Sequence, residues 1–159
     1  MSDDASTLDV PVLQGLGREG DVIAGYVLGE LLGVGGMGVV YAARQTALQR
    51  DVALKIPRPE LVADPHVIQR FRTEALAAAR VAHRNVVSVF DYGQVDGVPY
   101  LVMERIVGPR LGRLVVEHAP MSVTRAIDIV TQLLDGLEES HASGVVHADV
   151  KSDNVLVET

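Results

Sequence analysis

The chain has 159 residues, of which 48% are hydrophobic and 22% charged, the balance of a single soluble globular domain. A net charge of −7 argues against a nucleic-acid or membrane-surface partner, since both require clustered Lys and Arg. The absence of cysteine excludes a disulfide framework or a thiolate metal site and fits a reducing, cytoplasmic setting.

Residues 1 to about 20 begin with acid rather than base and lead into no apolar core segment, so no signal peptide is expected. They mix Asp, Ser, Thr and Gly with scattered apolar residues and read as a disordered lead. No apolar run approaches the roughly 20 residues that a membrane helix needs. Tyr26 to Leu32 reads as a strand and is followed by Gly33-Val34-Gly35-Gly36-Met37-Gly38. A second strand follows at Val39 to Ala43, then a third at Val52 to Ile56. Phe71, Ala75, Ala78 and Ala82 recur at helical spacing, so Pro65 to Ala82 is predicted helical, with Asp64 as its N-cap. Two strands, Val86 to Phe90 and Tyr100 to Met103, flank a turn containing Asp96-Gly97. Gly108-Pro109 breaks the pattern before a short helix at Leu111 to His118. Ser122 caps a long helix to about Ser143, whose Ile127, Val130, Leu133, Leu134 and Leu137 form one broad stripe. A short strand, Val155 to Val157, closes the sequence. The order predicts an α+β architecture: a five-stranded antiparallel sheet lobe with one helix, then a helical lobe.

Three groups of residues carry chemistry. Gly33, Gly35 and Gly38 make G-x-G-x-x-G, but Val39-Val40-Tyr41 continues as a strand, so the loop is a hairpin rather than a strand-to-helix turn. Glycine there lets backbone N–H groups approach phosphate oxygens; the plainer alternative is a glycine-rich turn with no ligand. Lys55 lies in an apolar strand and must reach water or a partner. Glu74 flanks the inner stripe of its helix and is the candidate partner; otherwise both are ordinary surface. The stretch His147-Ala148-Asp149-Val150-Lys151-Ser152-Asp153-Asn154 is the most specific. Asp149 can accept a hydroxyl proton, Lys151 can neutralise phosphoryl charge, and the Asn154 carbonyl suits a hard cation such as Mg²⁺. His147 reads as a packing and hydrogen-bonding residue. Because Val145-Val146 and Val155-Leu156-Val157 bracket the polar residues, a half-buried loop is expected rather than a plain surface one.

Taken together, from about Tyr26 to Val157, these residues resemble the protein kinases. The Gly-Gly-Met-Gly hairpin is similar to that of bacterial Ser/Thr kinases of the PASTA-receptor and myxobacterial type. The resemblance implies ATP and Mg²⁺ as cofactors and a protein Ser/Thr hydroxyl as acceptor. It implies that Leu32, Gly33, Val34, Gly35, Gly36 and Gly38 cover the ATP. Val40 and Ala53 would lie over the adenine and Leu156 beneath it. Lys55 would meet the α- and β-phosphates and pair with Glu74. Met103 would be the gatekeeper, with Glu104 and Ile106 offering hinge backbone groups. Asp149 would be the catalytic base, Lys151 the phosphate-stabilising lysine and Asn154 a magnesium ligand. Lys151 itself resembles Ser/Thr rather than Tyr kinases.

The sequence departs from the pattern in two places. Ala148 stands where many kinases have Arg, which reads a phosphorylated activation loop; its absence implies a kinase without that switch. No Asp-Phe-Gly follows Asn154, so a truncated domain with little catalysis of its own is expected, divided as a lead (1–20), a first lobe and hinge (21–106) and a partial second lobe (107–159). The stripe on the 122–143 helix would then be exposed, at about 1.5–3 kcal/mol per large apolar side chain. The chain would be marginally stable or self-associate through that helix. Alternative readings are a nucleotide-binding pseudokinase or regulatory module without catalysis, and a small-molecule phosphotransferase.

Overall fold

The computed structural model describes residues 17–158. Most of the lead expected to be disordered lies outside the described residues. Its last part, 17–20, forms a turn in which Gly20 N–H donates to Leu28 O at 2.8 Å. The strands are β1 (Val22–Ile23), β2 (Tyr26–Val34), β3 (Gly38–Gln45), β4 (Arg50–Pro57), β5 (Val89–Val95) and β6 (Val98–Glu104), and the helices α1 (Pro65–Ala78), α2 (Leu111–Glu117) and α3 (Val123–Ala142). The strands make one antiparallel sheet in the order β1-β2-β3-β4-β6-β5. Five strands were expected and six are present among the described residues: β1 pairs with the start of β2 through Val22↔Val27 and Ile23↔Tyr26. The turn between them, Ala24-Gly25, takes φ of 49° and 85°. Positive φ at both central residues matches the right-handed twist of a tight hairpin.

The described chain forms two compact units, one running to Arg72 and including Gly93–Tyr100, the other comprising Thr73–Tyr92 and the residues from Leu101 on. In the first, β2, β3 and β4 form a meander. Val52, Leu54 and Ile56 of β4 are buried along one face, Ala53 and Pro57 along the other, so β4 is an interior strand. Leu28 and Phe71 are fully buried. The tip of the β5–β6 hairpin, Asp96-Gly97, again has positive φ at both positions, 52° and 81°. The expected turn spanned Asp91 to Pro99; the strands extend to within these two residues, because an Asp-Gly pair closes a hairpin with no further loop. Asp64 caps α1, its carboxylate accepting from His66 N–H at 2.9 Å. The helix ends at Ala78 instead of Ala82: Arg80 and Val81 N–H groups donate to carbonyls three residues back, and Val81 rather than Ala82 is buried.

In the second unit Ser122 caps α3, accepting from Arg125 N–H at 3.3 Å. The expected stripe is exposed at Ile127 (61%), Val130 and Leu134 (58%) and half-buried at Leu133 and Leu137, while the buried positions are Ile129, Gly136 and Ser140. Small residues set the covered face because a loop lies directly on it. A Cβ on Gly136 would stand 3.1 Å from Asn85 O and 3.2 Å from Val86 Cγ2. The Asn85 side-chain amide donates to Gln132 O at 2.9 Å from the same loop. The closing strand is a single bridge, Arg110↔Leu156, reinforced by Leu111 N–H to Val155 O and Val157 N–H to Pro109 O. Gly108, at φ 157°, admits it: a Cβ there would lie 2.0 Å from Val157 O.

Gly108 and Gly97 therefore separate conformation from space. Both have positive φ, but nothing lies within 4 Å of a Cβ on Gly97. Gly97→Ala should cost about 1–2 kcal/mol, the left-handed penalty alone. Gly108→Ala should cost more by roughly 1–3 kcal/mol for the overpacked contact. Equal losses in urea unfolding would contradict the close approach at Val157.

Candidate active site

The predicted residues fall into the two units. In the first, the glycine loop is the β2–β3 hairpin, with Gly33↔Val40 and Val34↔Val39 as its last pairs and Gly35 N–H donating to Gly38 O at 2.8 Å. Two register shifts, between Leu28 and Gly33, insert extra residues on β2. Such bulges sharpen local twist just before the tip. Across β3 and β4, Val40 pairs with Lys55 and Ala42 with Ala53. Paired residues share a face and the side-chain period is two, so Gly38, Val40, Ala53 and Lys55 lie on one face of the sheet. Lys55 is the half-exposed member of an otherwise buried stretch, and its Nζ lies 5.5 Å from the centroid of the Phe71 ring. That distance is within reach of a cation–π attraction. Leu32, Val34, Gly35 and Gly36 are exposed at the tip.

The second unit holds the rest. Glu74 is an exposed residue of α1. Met103 and Glu104 end β6, and half-buried Ile106 follows. Glu104 binds Ser88 twice, its N–H donating to Ser88 O at 2.8 Å and its carboxylate accepting from Ser88 N–H at 3.2 Å. Its N–H is thus engaged, and its carbonyl is the backbone group it has to offer.

Asp149 is the centre of a compact polar arrangement. Its Oδ2 accepts from Lys151 Nζ at 2.9 Å and from Asn154 Nδ2 at 3.0 Å. The same Asn154 amide donates to Asp149 O at 2.9 Å. With both bonds made by its NH₂ group, the Asn154 carbonyl oxygen is turned away from Asp149 and remains an acceptor. First the Lys151 hydrogen bond, then that of Asn154, hold the Asp149 carboxyl below the usual carboxylate range. Asp149 N–H donates to His147 Nδ1 at 3.3 Å, which places the proton of a neutral imidazole on Nε2. His147 is exposed, so it hydrogen-bonds as expected but is not packed inside.

The loop as a whole is exposed, not half-buried. Val146 is 75% exposed, and Leu156 points outward while Val155 and Val157 are partly covered. The flanking segment pairs along one side only, so its alternate side chains face water. Ala148 sits at φ 59°, a left-handed conformation costly for a non-glycine residue and often found at functional sites. Sequence reasoning missed Arg110. Its guanidinium donates to Asp153 O and ties the start of α2 to the 147–154 loop. Gly108-Pro109 had marked that segment only as a break.

One unit carries a glycine hairpin with a lysine on the adjoining strand β4, and the other an Asp-x-Lys-x-x-Asn loop. The sequence profile of the protein kinase domain family matches residues 26–159, and the chain belongs to that family. It is 40% identical over 134 residues to the serine/threonine-protein kinase pkn3 of Myxococcus xanthus, covering 84% of this chain and 24% of that protein. It is 41% identical over 136 residues to the serine/threonine-protein kinase PknB of Mycobacterium tuberculosis, covering 83% and 22% respectively. The crystal structure of the Mycobacterium tuberculosis PknI kinase domain superposes with a TM-score of 0.74 at 30% identity, over 89% of this chain and 58% of that one. The chain therefore spans about a quarter or less of the curated relatives it matches. Among the described residues no helix is long and apolar enough to cross a membrane.

The ion pair at Asp149 is testable without substrate. The lowered carboxyl pKa means Asp149 is ionised throughout the neutral range. In a ¹³C-detected titration its midpoint should lie below the ordinary aspartate value, and Lys151→Ala should move it upward. A midpoint indifferent to Lys151→Ala would mean that the pair does not form in solution.

Proposed function

We propose that the chain is the N-terminal part of a catalytic domain that transfers the γ-phosphoryl group of ATP to Ser or Thr hydroxyls of proteins in the cytoplasm. In this reading residues 21–106 form the nucleotide-binding lobe and hinge, and 107–159 begin the second lobe. The observation that carries the reading is the arrangement at Asp149. Lys151 and Asn154 both engage Oδ2, and Oδ1 is left to accept the acceptor's proton. As the hydroxyl oxygen bonds to the γ-phosphorus, the bond to the ADP oxygen breaks and the hydroxyl proton passes to Asp149. Lys151 then exchanges its ion pair for the phosphoryl oxygens, where charge develops.

Mg²⁺ fits the donors present. The Asn154 carbonyl oxygen is a hard ligand held in place by its own amide bonds. Among the described residues no group of three or more His, Cys, Asp or Glu could hold a metal unaided. Magnesium keeps several waters and takes few protein ligands beside phosphate oxygens, so one such ligand suits it. When bound it would neutralise phosphate charge. Val40, Ala53 and Leu156 are proposed as the adenine-lining residues, Met103 as gatekeeper, the Glu104 and Ile106 backbone as its hydrogen-bonding edge, and Lys55 with Glu74 as the ion pair at the α- and β-phosphates.

Magnesium-dependent binding of a non-hydrolysable ATP analogue tests this. Lys55→Met and Asn154→Ala should each weaken it at least tenfold, equivalent to about 1.4 kcal/mol. Affinity unmoved by Lys55→Met would overturn the assignment. In the protein at full length, Asp149→Asn should abolish transfer to Ser/Thr; binding without any transfer by the wild type would favour a regulatory role. With Ala148 in place of Arg, activity should survive phosphatase treatment, and its loss would show dependence on an activation-loop phosphate.

A further inference from the structure

We infer that Gly38 is a positioning residue for Lys55, whereas Gly35 and Gly36 are kept bare for a ligand. The inference deepens the proposed function, since it concerns the lysine assigned there to the phosphates.

None of the three glycines has positive φ, so conformation alone does not demand glycine at any of them. Space separates them. A Cβ on Gly36 would meet nothing within 4 Å, and one on Gly35 would make only an ordinary 3.6 Å contact with Gly38 O. A Cβ on Gly38 would stand 3.1 Å from Lys55 Cε, 3.3 Å from Lys55 Cγ and 2.8 Å from Ile56 O. The ladder explains the difference. Gly38 pairs with Pro57 and Val40 with Lys55, so Gly38 is the diagonal neighbour of Lys55 on the same sheet face. The lysine stem leans along that diagonal, across the bare backbone of Gly38, and this path carries Nζ to its place beside the Phe71 ring. A Cβ at 38 would force a shift against Ile56 O and press the lysine stem aside by a few tenths of an ångström. Gly38 thus acts through Lys55, not by touching substrate.

Lys55 and Lys151 are the only lysines of the sequence, which makes a direct readout available. Reductive ¹³C-methylation of the 159-residue chain gives one side-chain signal for each, assigned with Lys151→Arg. In Gly38→Ala the Lys55 signal should shift and the Lys151 signal should not; Gly36→Ala should move neither. A Lys55 signal unchanged in folded Gly38→Ala would overturn the inference. If Gly38→Ala fails to fold, the Gly38→Ala/Lys55→Ala double variant decides. Recovery of the fold supports a clash with the lysine stem, and continued unfolding assigns the whole effect to Ile56 O and overturns it. ATP-analogue affinity separates this inference from the proposed function. A shifted Lys55 signal with a tenfold loss supports both. A shifted signal with unchanged affinity keeps the role of Gly38 and removes that of Lys55.

Discussion

An ammonium on an interior strand is the constraint around which the sheet unit is organised. β4 is buried on either side of Lys55, and a cation there is tolerable only if its stem can run along the sheet to a place where the charge is solvated or paired. The hairpin preceding β3 supplies the path by lacking a side chain at 38. One short sequence, Gly-Gly-Met-Gly, therefore serves two separable purposes: an exposed tip whose backbone is open to approach, and a bare step beside the lysine. Single substitutions within the motif should not be equivalent, because the same residue type is required for different physical reasons.

The second unit solves a different problem, that of holding an exposed carboxylate in one orientation. Asp149, Lys151 and Asn154 are all solvent-exposed, so burial does not fix them. Short-range geometry does. The Asn154 amide spans from the Asp149 backbone carbonyl to its carboxylate, and the 3-10 turn Ser152–Asn154 sets that reach. Backbone support comes from Leu111 N–H to Val155 O and from the Arg110 guanidinium on Asp153 O. Gly112 keeps the approach close, since a Cβ there would lie 2.9 Å from Asp153 Oδ1. The start of α2 is thus a brace for the loop that bears Asp149.

Much of this was legible in the sequence, and the lapses share a cause. Strand and helix identities follow from local periodicity and turn chemistry, and Asp64 and Ser122 cap as their side chains dictate. The α3 stripe lies largely in water, as expected, and what the sequence reading overlooked is the face that is covered. The covered face is marked by Gly136 and Ser140, which hydropathy does not rank but close loop packing requires. The extra strand β1 was missed because two residues are too short for any periodic pattern. Apolar brackets around the 147–154 loop suggested burial, yet the flanks pair along a single edge and Val146 remains in water. Arg110 was invisible since its partner is a backbone carbonyl, which no residue pattern encodes.

The outer edge of β2 is covered unevenly. β1 and the turn before it bond β2 as far as Leu28, through Gly20 N–H to Leu28 O and Leu28 N–H to Asp21 O. From Glu30 to Val34, among the described residues, β2 is bonded as a strand on its β3 side alone. The glycine tip is therefore joined to the rest of the sheet, as a strand, along one seam that begins at the bulges between Leu28 and Gly33. In the function proposed above, the stiffness of this single seam would set how readily a nucleotide enters and leaves beneath the tip.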